Sequence, residues 1–322
     1  MNKSFLKCIT CNSKHTLADS NAVYGCKNRK NDDLNHILEK YISRKLVLPS
    51  IDEIIYRKKV DTTPYSIFCD FFFLFHLAEQ LNVDYKAIIS DIDNGLRQIG
   101  EPPFKQTPIH IQENNIFIKD KTANVIGSHK ARHLMGNILY LEILVRSGTI
   151  REKPKLAVYS CGNAAMGAAA VAKAAGYNID VFIPPNVSSK ITDTLKRYGA
   201  SIVICPRDDG EIGDPCYNLF QKALLIDSVP FSCSGPDNWS NIKGGQTLCL
   251  EFMTQLLEMN ITPESIVIQV GGGALASSAI KSLEELYDFG YIKKIPSVYT
   301  VQTEGSFPLT RAFYLLIKEI AV

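Results

Sequence analysis

A chain of 322 residues is long enough for two lobes around a substantial core. Its 35 basic and 33 acidic residues leave a formal charge of +2, so charge gives no case for nucleic acid or an acidic partner surface. Hydrophobic residues make up 46%, as in a folded soluble protein, and the nine cysteines, with no apolar leader in Met1–Ile9, read as free thiols in a reducing cytoplasm.

In chain order, residues 1–30 form a cysteine-containing segment with Cys8, Cys11 and Cys26 among polar and turn residues. Residues 31–99 read as a helical extension, because Leu34, Ile37, Leu38 and Tyr41, and then Phe75, Leu77 and Leu81, recur at helical spacing. The apolar stretch Ser66–Leu77 is broken by Asp70 and His76 and is too short to cross a bilayer, so we expect a buried helix and no membrane partner. From about residue 100, β-branched runs alternate with alanine-rich ones. Strands are expected at 116–118, 155–159, 179–183, 201–205, 265–270 and 297–302. Helices are expected at 131–146, 164–175, 188–198, 214–225, 245–258 and 277–287, with Gly176 and Gly199 as C-terminal stops. Such alternation implies an α/β fold with mostly parallel sheets covered by helices on both faces.

Three segments offer chemistry. Lys130, beside His129, Arg132 and His133, lies at or just before a helix N-terminus, where dipole and neighbouring cations favour a neutral, nucleophilic amine. The same heptapeptide also suits a solvated basic patch opening an amphipathic helix. Gly271-Gly272-Gly273 follows an apolar strand and precedes a helix, an arrangement that fits either an anion cradle or a tight strand-to-helix turn. No Lys-Ser/Thr follows and Gly-x-Gly-x-x-Gly is absent, which argues against a nucleotide-binding protein. Ser160-Cys161-Gly162-Asn163-Ala164 follows the strand at 155–159. Asn163 reads as an N-cap, and the loop's N–H groups with Ser160 can hold a substrate carboxylate at the carboxyl end of a parallel sheet. Cys8-x-x-Cys11 with Cys26 has the look of a zinc knuckle, but Arg29 stands where the fourth cysteine belongs and His15 is oddly spaced. We therefore expect a degenerate remnant and no metal.

Together these elements resemble the fold type II pyridoxal-phosphate enzymes, the tryptophan synthase β family that includes threonine synthase, cysteine synthase and threonine dehydratase. The resemblance covers about residues 100–322. It rests on Gln106-Thr107-Pro108-Ile109, Lys119-Asp120-Lys121, Gly127 to Arg132, Ser160 to Ala164, Gly271 to Leu275, and Val301 to Gly305. It implies that Lys130 forms a Schiff base with pyridoxal 5'-phosphate and later shuttles the substrate α-proton. Asn163 would bond the ring's phenolic oxygen, and Ser160, Cys161, Gly162, Asn163 and Ala164 would grip the substrate carboxylate. Gly271, Gly272, Gly273, Ala274 and Leu275 would bind the phosphate, with His129 near it. The implied layout is a large cofactor domain of 100–133 and 237–322 and a small domain of 134–236, in a homodimer acting on a small amino acid. The Cys-x-x-Cys segment and Ser-Cys-Gly-Asn make the chain most similar to threonine synthases, which convert O-phosphohomoserine to threonine and phosphate. A cysteine synthase-like or threonine dehydratase-like elimination or replacement enzyme, and a non-catalytic cofactor-binding relative, stay open. Family members supply a Ser, Thr or Cys to the pyridine nitrogen from a segment beyond the helix that holds Ile320-Ala321-Val322, so the large domain is expected to be C-terminally incomplete. A second chain or another means of ring protonation would serve in its place.

Overall fold

The computed structural model describes residues 4–15, 24–30, 36–42, 48–233 and 237–320. At the N-terminal end β1 (Ser4–Cys8), β2 (Lys14–His15) and β3 (Leu38–Ile42) form an antiparallel sheet in the order β2-β1-β3. The helical reading of Leu38 and Tyr41 is corrected here: Leu38 pairs with Cys8 and Tyr41 with Phe5. A three-residue spacing does not by itself distinguish helix from strand, and the ladder along β1 decides the matter. Leu34 lies outside the described residues. The turn after β1 gathers the sulfurs of Cys8, Cys11 and Cys26 with the imidazole of His36. His15, the oddly spaced candidate, meets the Ser13 hydroxyl at 3.0 Å, and the imidazole beside the three sulfurs is that of His36.

Four helices follow. A capping box between Ser50 and Glu53 opens α1 (Ile51–Val60). The phenylalanine-rich stretch is buried, as expected, but it is not one helix. It is α2 (Pro64–Ile67), a 3-10 turn at 69–71 and α3 (Phe73–Gln80), interrupted where Phe72 adopts an extended backbone. Helix α4 (Tyr85–Gln98) starts on an Asp84 cap.

Next come the antiparallel pair β4 (Ile109–Gln112) and β5 (Ile116–Lys119), and then α5 (Lys130–Arg146), which runs unbroken through the expected domain boundary at 133/134. Beyond it lie β6 (Lys155–Tyr159), α6 (Asn163–Ala174), β7 (Ile179–Ile183), α7 (Ser189–Arg197), β8 (Ser201–Ile204), α8 (Pro215–Ile226) and β9 (Ser228–Pro230). The four strands form a parallel sheet in the order β8-β7-β6-β9. Alternation fills both its faces. Leu156, Val158, Val181 and Ile183 pack with the alanines of α6, while Ala157 and Phe182 meet Cys216 and Phe220 of α8.

The chain closes with α9 (Ser240–Glu258), β10 (Ser265–Gln269), α10 (Ala274–Asp288), β11 (Ser297–Val301) and α11 (Pro308–Ile320). β10 and β11 pair in parallel. Here the expected cover on both faces is not met. Ile266 and Ile268 are buried, whereas the alternate residues Val267 and Tyr299 are 67% and 59% exposed. Among the described residues no helix is long and apolar enough to cross a membrane.

At Gly136 and Gly244, helix α5 crosses α9 with no side chain between the two backbones. A Cβ on Gly136 would come within 2.6 Å of the Gly244 nitrogen, and one on Gly244 within 2.7 Å of the Gly136 nitrogen. The neighbours are helix backbone, which cannot yield. Gly244→Ala is therefore expected to cost about 1–3 kcal/mol or more, read as a lower urea midpoint at unchanged slope. A midpoint equal to wild type would show that the two helices can part at no cost.

Candidate active site

Lys130 is the first residue of α5, and the loop before it is under strain. Ile126 has φ +53°, rare for a β-branched residue, and Gly127 has φ +66°. Polar bonds hold this conformation in place: Ile126 N–H donates to Glu101 at 2.8 Å, and the Asn124 amide donates to the Ser128 carbonyl at 2.9 Å. The Ser128 hydroxyl in turn accepts from the Lys130 N–H at 3.3 Å. The lysine is thus presented from a fixed turn and is only partly exposed.

Small residues bring the first turn of α6 against that of α5, and the first turn of α10 against α9, which packs on α5. A Cβ on Gly167, one turn into α6, would sit 3.4 Å from the nitrogen of Ala131, the residue after Lys130. A Cβ on Gly245 of α9 would meet His133 Nδ1 at 2.6 Å and the Ser278 hydroxyl, one turn into α10, at 2.5 Å. Ser278 also donates to the Ile242 carbonyl of α9 at 3.0 Å. The polar loop leading α6 thus adjoins the end of α5 that bears Lys130, while the triglycine leads a helix joined to that end through α9 at Gly245 and His133.

Both loops can accept an anion. Nothing lies within 4 Å of where a Cβ would stand on Gly162, Gly271, Gly272 or Gly273, and neither α6 nor α10 has a side-chain cap. Their first-turn N–H groups are open to a carboxylate or phosphate. The helix boundary corrects one expectation: Gly162 is the N-cap of α6 and Asn163 its first helical residue. Cys161 and Asn163 are exposed, Ser160, Gly162 and Ala164 partly so, and Ala274 is buried. A cavity of about 1040 Å³, lined by β5, α9 and β10, reaches His129 beside Lys130 and Leu275 after the triglycine, but Ser160–Ala164 do not line it.

The wall around Lys130 is electrostatically unusual. Burial, with Lys130 and Lys121 nearby, pushes the His129 imidazole down to about 4. His133 is buried, beside His129 and Lys130, and is pushed to about 3; its Nδ1 bonds the Asn241 carbonyl at 2.9 Å. Its Nε2 is buried without a hydrogen-bond partner among the described residues. Burial, with Arg132 nearby, lowers the Lys121 amine to about 6. Beneath them, Glu251 accepts from Arg132 at 2.6 Å, Lys119 at 2.5 Å and the Thr107 N–H at 2.7 Å. Burial alone would raise this carboxyl, but Arg132, Lys119 and Lys121 outweigh it and hold Glu251 near 2. Sequence reasoning missed His133, Lys121 and Glu251 as members of the site. A Lys-x-Lys and a glutamate 130 residues apart give no local signal that they meet.

The family model for pyridoxal-phosphate dependent enzymes matches residues 98–320. The chain belongs to that family. Its cofactor is pyridoxal 5'-phosphate, an aldehyde with an anionic tail, and an amine at the start of α5 together with an open, uncapped triglycine turn before α10 fits such a group. Over 237 residues the chain is 23% identical to the L-threonine dehydratase TdcB of Staphylococcus aureus, covering 70% of this chain and 61% of that one. Over 225 residues it is 27% identical to L-serine dehydratase of Saccharomyces cerevisiae, covering 65% and 64%. It thus spans somewhat under two thirds of the length of these relatives. Maize serine racemase and a pyridoxal 5'-phosphate-dependent aspartate racemase share its fold, each at TM-score 0.50, with 19% and 22% identity over 67% of this chain and 61% and 63% of theirs.

The two depressed imidazoles set a pH dependence for this family member. Each folded value lies below the ordinary 6.5, so under that pH the unfolded chain binds more protons. The stability from burying them neutral is complete above about 6.5 and drains away as pH falls towards 3–4. Urea midpoints should therefore drop between pH 7 and pH 4.5, and the drop should be shallower in His133→Gln by up to about one proton's worth of slope. Equal slopes in the two proteins would show that His133 is not held neutral.

Proposed function

We propose that this protein is a lyase that removes the α-proton of a small amino acid and then expels or replaces a substituent further along its side chain. The observation that supports this reading is the meeting of the first turns of α6 and α5 at Gly167 and Ala131, with the first turn of α10 joined to His133 of α5 through Gly245. Lys130 would hold the cofactor aldehyde through its ε-amine and afterwards accept the substrate α-proton. The N–H groups of Gly271, Gly272, Gly273, Ala274 and Leu275 would bind the phosphate, with His129 beside it as a neutral imidazole. Ser160 to Ala164 would grip the substrate carboxylate and Asn163 the ring oxygen. When bound, the cofactor supplies an electron sink for the pair left by α-C–H cleavage. The lobe of 134–236 and the lobe of 100–133 with 237–322 form the two walls of the cleft in this reading, and closure between them excludes water.

The dehydratases among its relatives support a β-hydroxy amino acid as substrate, with loss of the hydroxyl. A second reading, O-phosphohomoserine converted to threonine and phosphate, is favoured by the Cys8-x-x-Cys11 segment and by Ser160-Cys161-Gly162-Asn163. Protein purified with the cofactor is expected to show visible absorbance that Lys130→Ala abolishes, with turnover reduced by about 10²–10⁴-fold. An unchanged spectrum in that variant would refute the assignment of Lys130. Serine and threonine yielding a 2-oxo acid and ammonia would support the first substrate class, and phosphate release from O-phosphohomoserine the second. Inertness towards all three, with the cofactor bound, would favour a non-catalytic binder.

A further inference from the structure

The N-terminal sheet carries a second chemical centre, unrelated to the cleft. Its four donor atoms come from four points in the chain: Cys8 at the end of β1, Cys11 in the turn towards β2, Cys26 in the next described turn, and His36 just before β3. All four lie within 4.8 Å of one another. The Cys11 and Cys26 sulfurs are 3.6 Å apart, and the Cys8 sulfur is 3.5 Å from His36 Nδ1. A tetrahedral zinc with bonds of about 2.3 Å to sulfur and about 2.05 Å to nitrogen has edges of about 3.8 Å and about 3.6 Å. Those two edges are already nearly at the metal-bound length, and far beyond the roughly 2.05 Å of a disulfide.

The backbone around the cysteines supports the same reading. The Cys8 N–H donates to the Ser13 carbonyl at 2.9 Å and the Asn12 N–H to the Cys8 carbonyl at 3.0 Å, with Asn12 at φ +58°. This folds Cys-x-x-Cys into a knuckle that points both sulfurs the same way. A second turn, closed by the Arg29 N–H on the Cys26 carbonyl at 3.0 Å, repeats the pattern. Donors also converge on the sulfurs. The Asn28 N–H reaches Cys26 at 3.4 Å, the Asn28 amide reaches Cys11 at 3.3 Å, and the Ser13 hydroxyl lies 3.0 Å from Cys11 and 3.3 Å from Cys26. Hydrogen bonds of this kind stabilise thiolates in the second shell of a metal. Arg29, in the position of the expected fourth cysteine, turns away and pairs with Asp237 at 3.4 Å.

We infer that Cys8, Cys11, Cys26 and His36 bind one zinc ion in a closed, structural Cys₃His site. Four protein donors leave no open position, so the ion does not take part in the reaction. Its role is to clamp a three-stranded sheet that has little core of its own. Among the described residues, Leu6, Cys8, Cys26 and Leu38 are the apolar ones this segment buries in the main core, and a unit that small commonly needs a metal to hold its shape.

Elemental analysis of the full chain, purified without chelator, is the test. About one zinc per chain is expected, with a large loss in Cys26→Ser and in His36→Ala. Retention is expected in His36→Cys, which keeps four soft donors, and in Cys205→Ser, a thiol remote from the cluster. Cobalt(II) exchanged into the wild type should give thiolate charge-transfer and tetrahedral d–d bands, a readout that does not depend on any variant folding. Neither result depends on the cleft or its cofactor. A folded wild type free of zinc and without cobalt bands would overturn the site. So would iron in place of zinc, a Cys11–Cys26 disulfide in the purified protein, or full zinc retention in Cys26→Ser and His36→Ala.

Discussion

The contact on which the rest of this structure depends is the bare crossing of α5 and α9. Gly136 and Gly244 remove the side chains that would hold the two helices at the usual separation, so backbone meets backbone. Once they are that close, Arg132 of α5 reaches Glu251 of α9 in a region from which water is excluded. Helix α10 then settles on the other flank of α9 through Ser278 and Ser282, which donate to the Ile242 and Gln246 carbonyls. The backbone of Lys130 is set by this packing of helices together with the bonded turn before it.

The buried charge beneath the site is expensive to assemble and more expensive to disturb. Removing one member of a buried ion pair typically costs about 3–5 kcal/mol, because the partner stays charged and dry. Here Glu251 answers Arg132, Lys119 and the Thr107 backbone together, so the segment leading into β4, the end of β5 and two helices share one carboxylate. That sharing fixes the register of α5 along α9. The strained turn at Ile126, anchored independently by Glu101, lies directly ahead of Lys130.

Much of this was legible from sequence where the signal was local. Strands β6 and β7 fall where their apolar runs between breakers put them, and Gly176 and Gly199 do carry positive φ, +72° and +73°, after their helices. Lys130, the polar loop and the triglycine are adjacent to helix starts for the reasons their residue types suggested. What failed was whatever depends on distant partners. Helix α9 begins at Ser240 and not Gly245, because Ser-Asn-Ile-Lys-Gly-Gly has no helical stripe and is held helical by packing on α5. Strand β3 was read as helix because a strand's ladder is invisible until its partner is known. His36 was overlooked for the same reason: nothing in its neighbourhood along the chain links it to Cys8.

The depressed proton affinities around Lys130 bear on how the proposed cofactor would be kept. His129 and His133 are neutral at pH 7, Lys121 has a lowered affinity, and Arg132 is committed to Glu251. The surroundings of a bound phosphate would then be mostly oriented dipoles, those of the glycine N–H groups and the helix end, with few free full charges. Dipoles at van der Waals range are little affected by a Debye atmosphere, whereas long-range ion pairing weakens as ionic strength rises. Cofactor held in this way should stay in place through a high-salt wash.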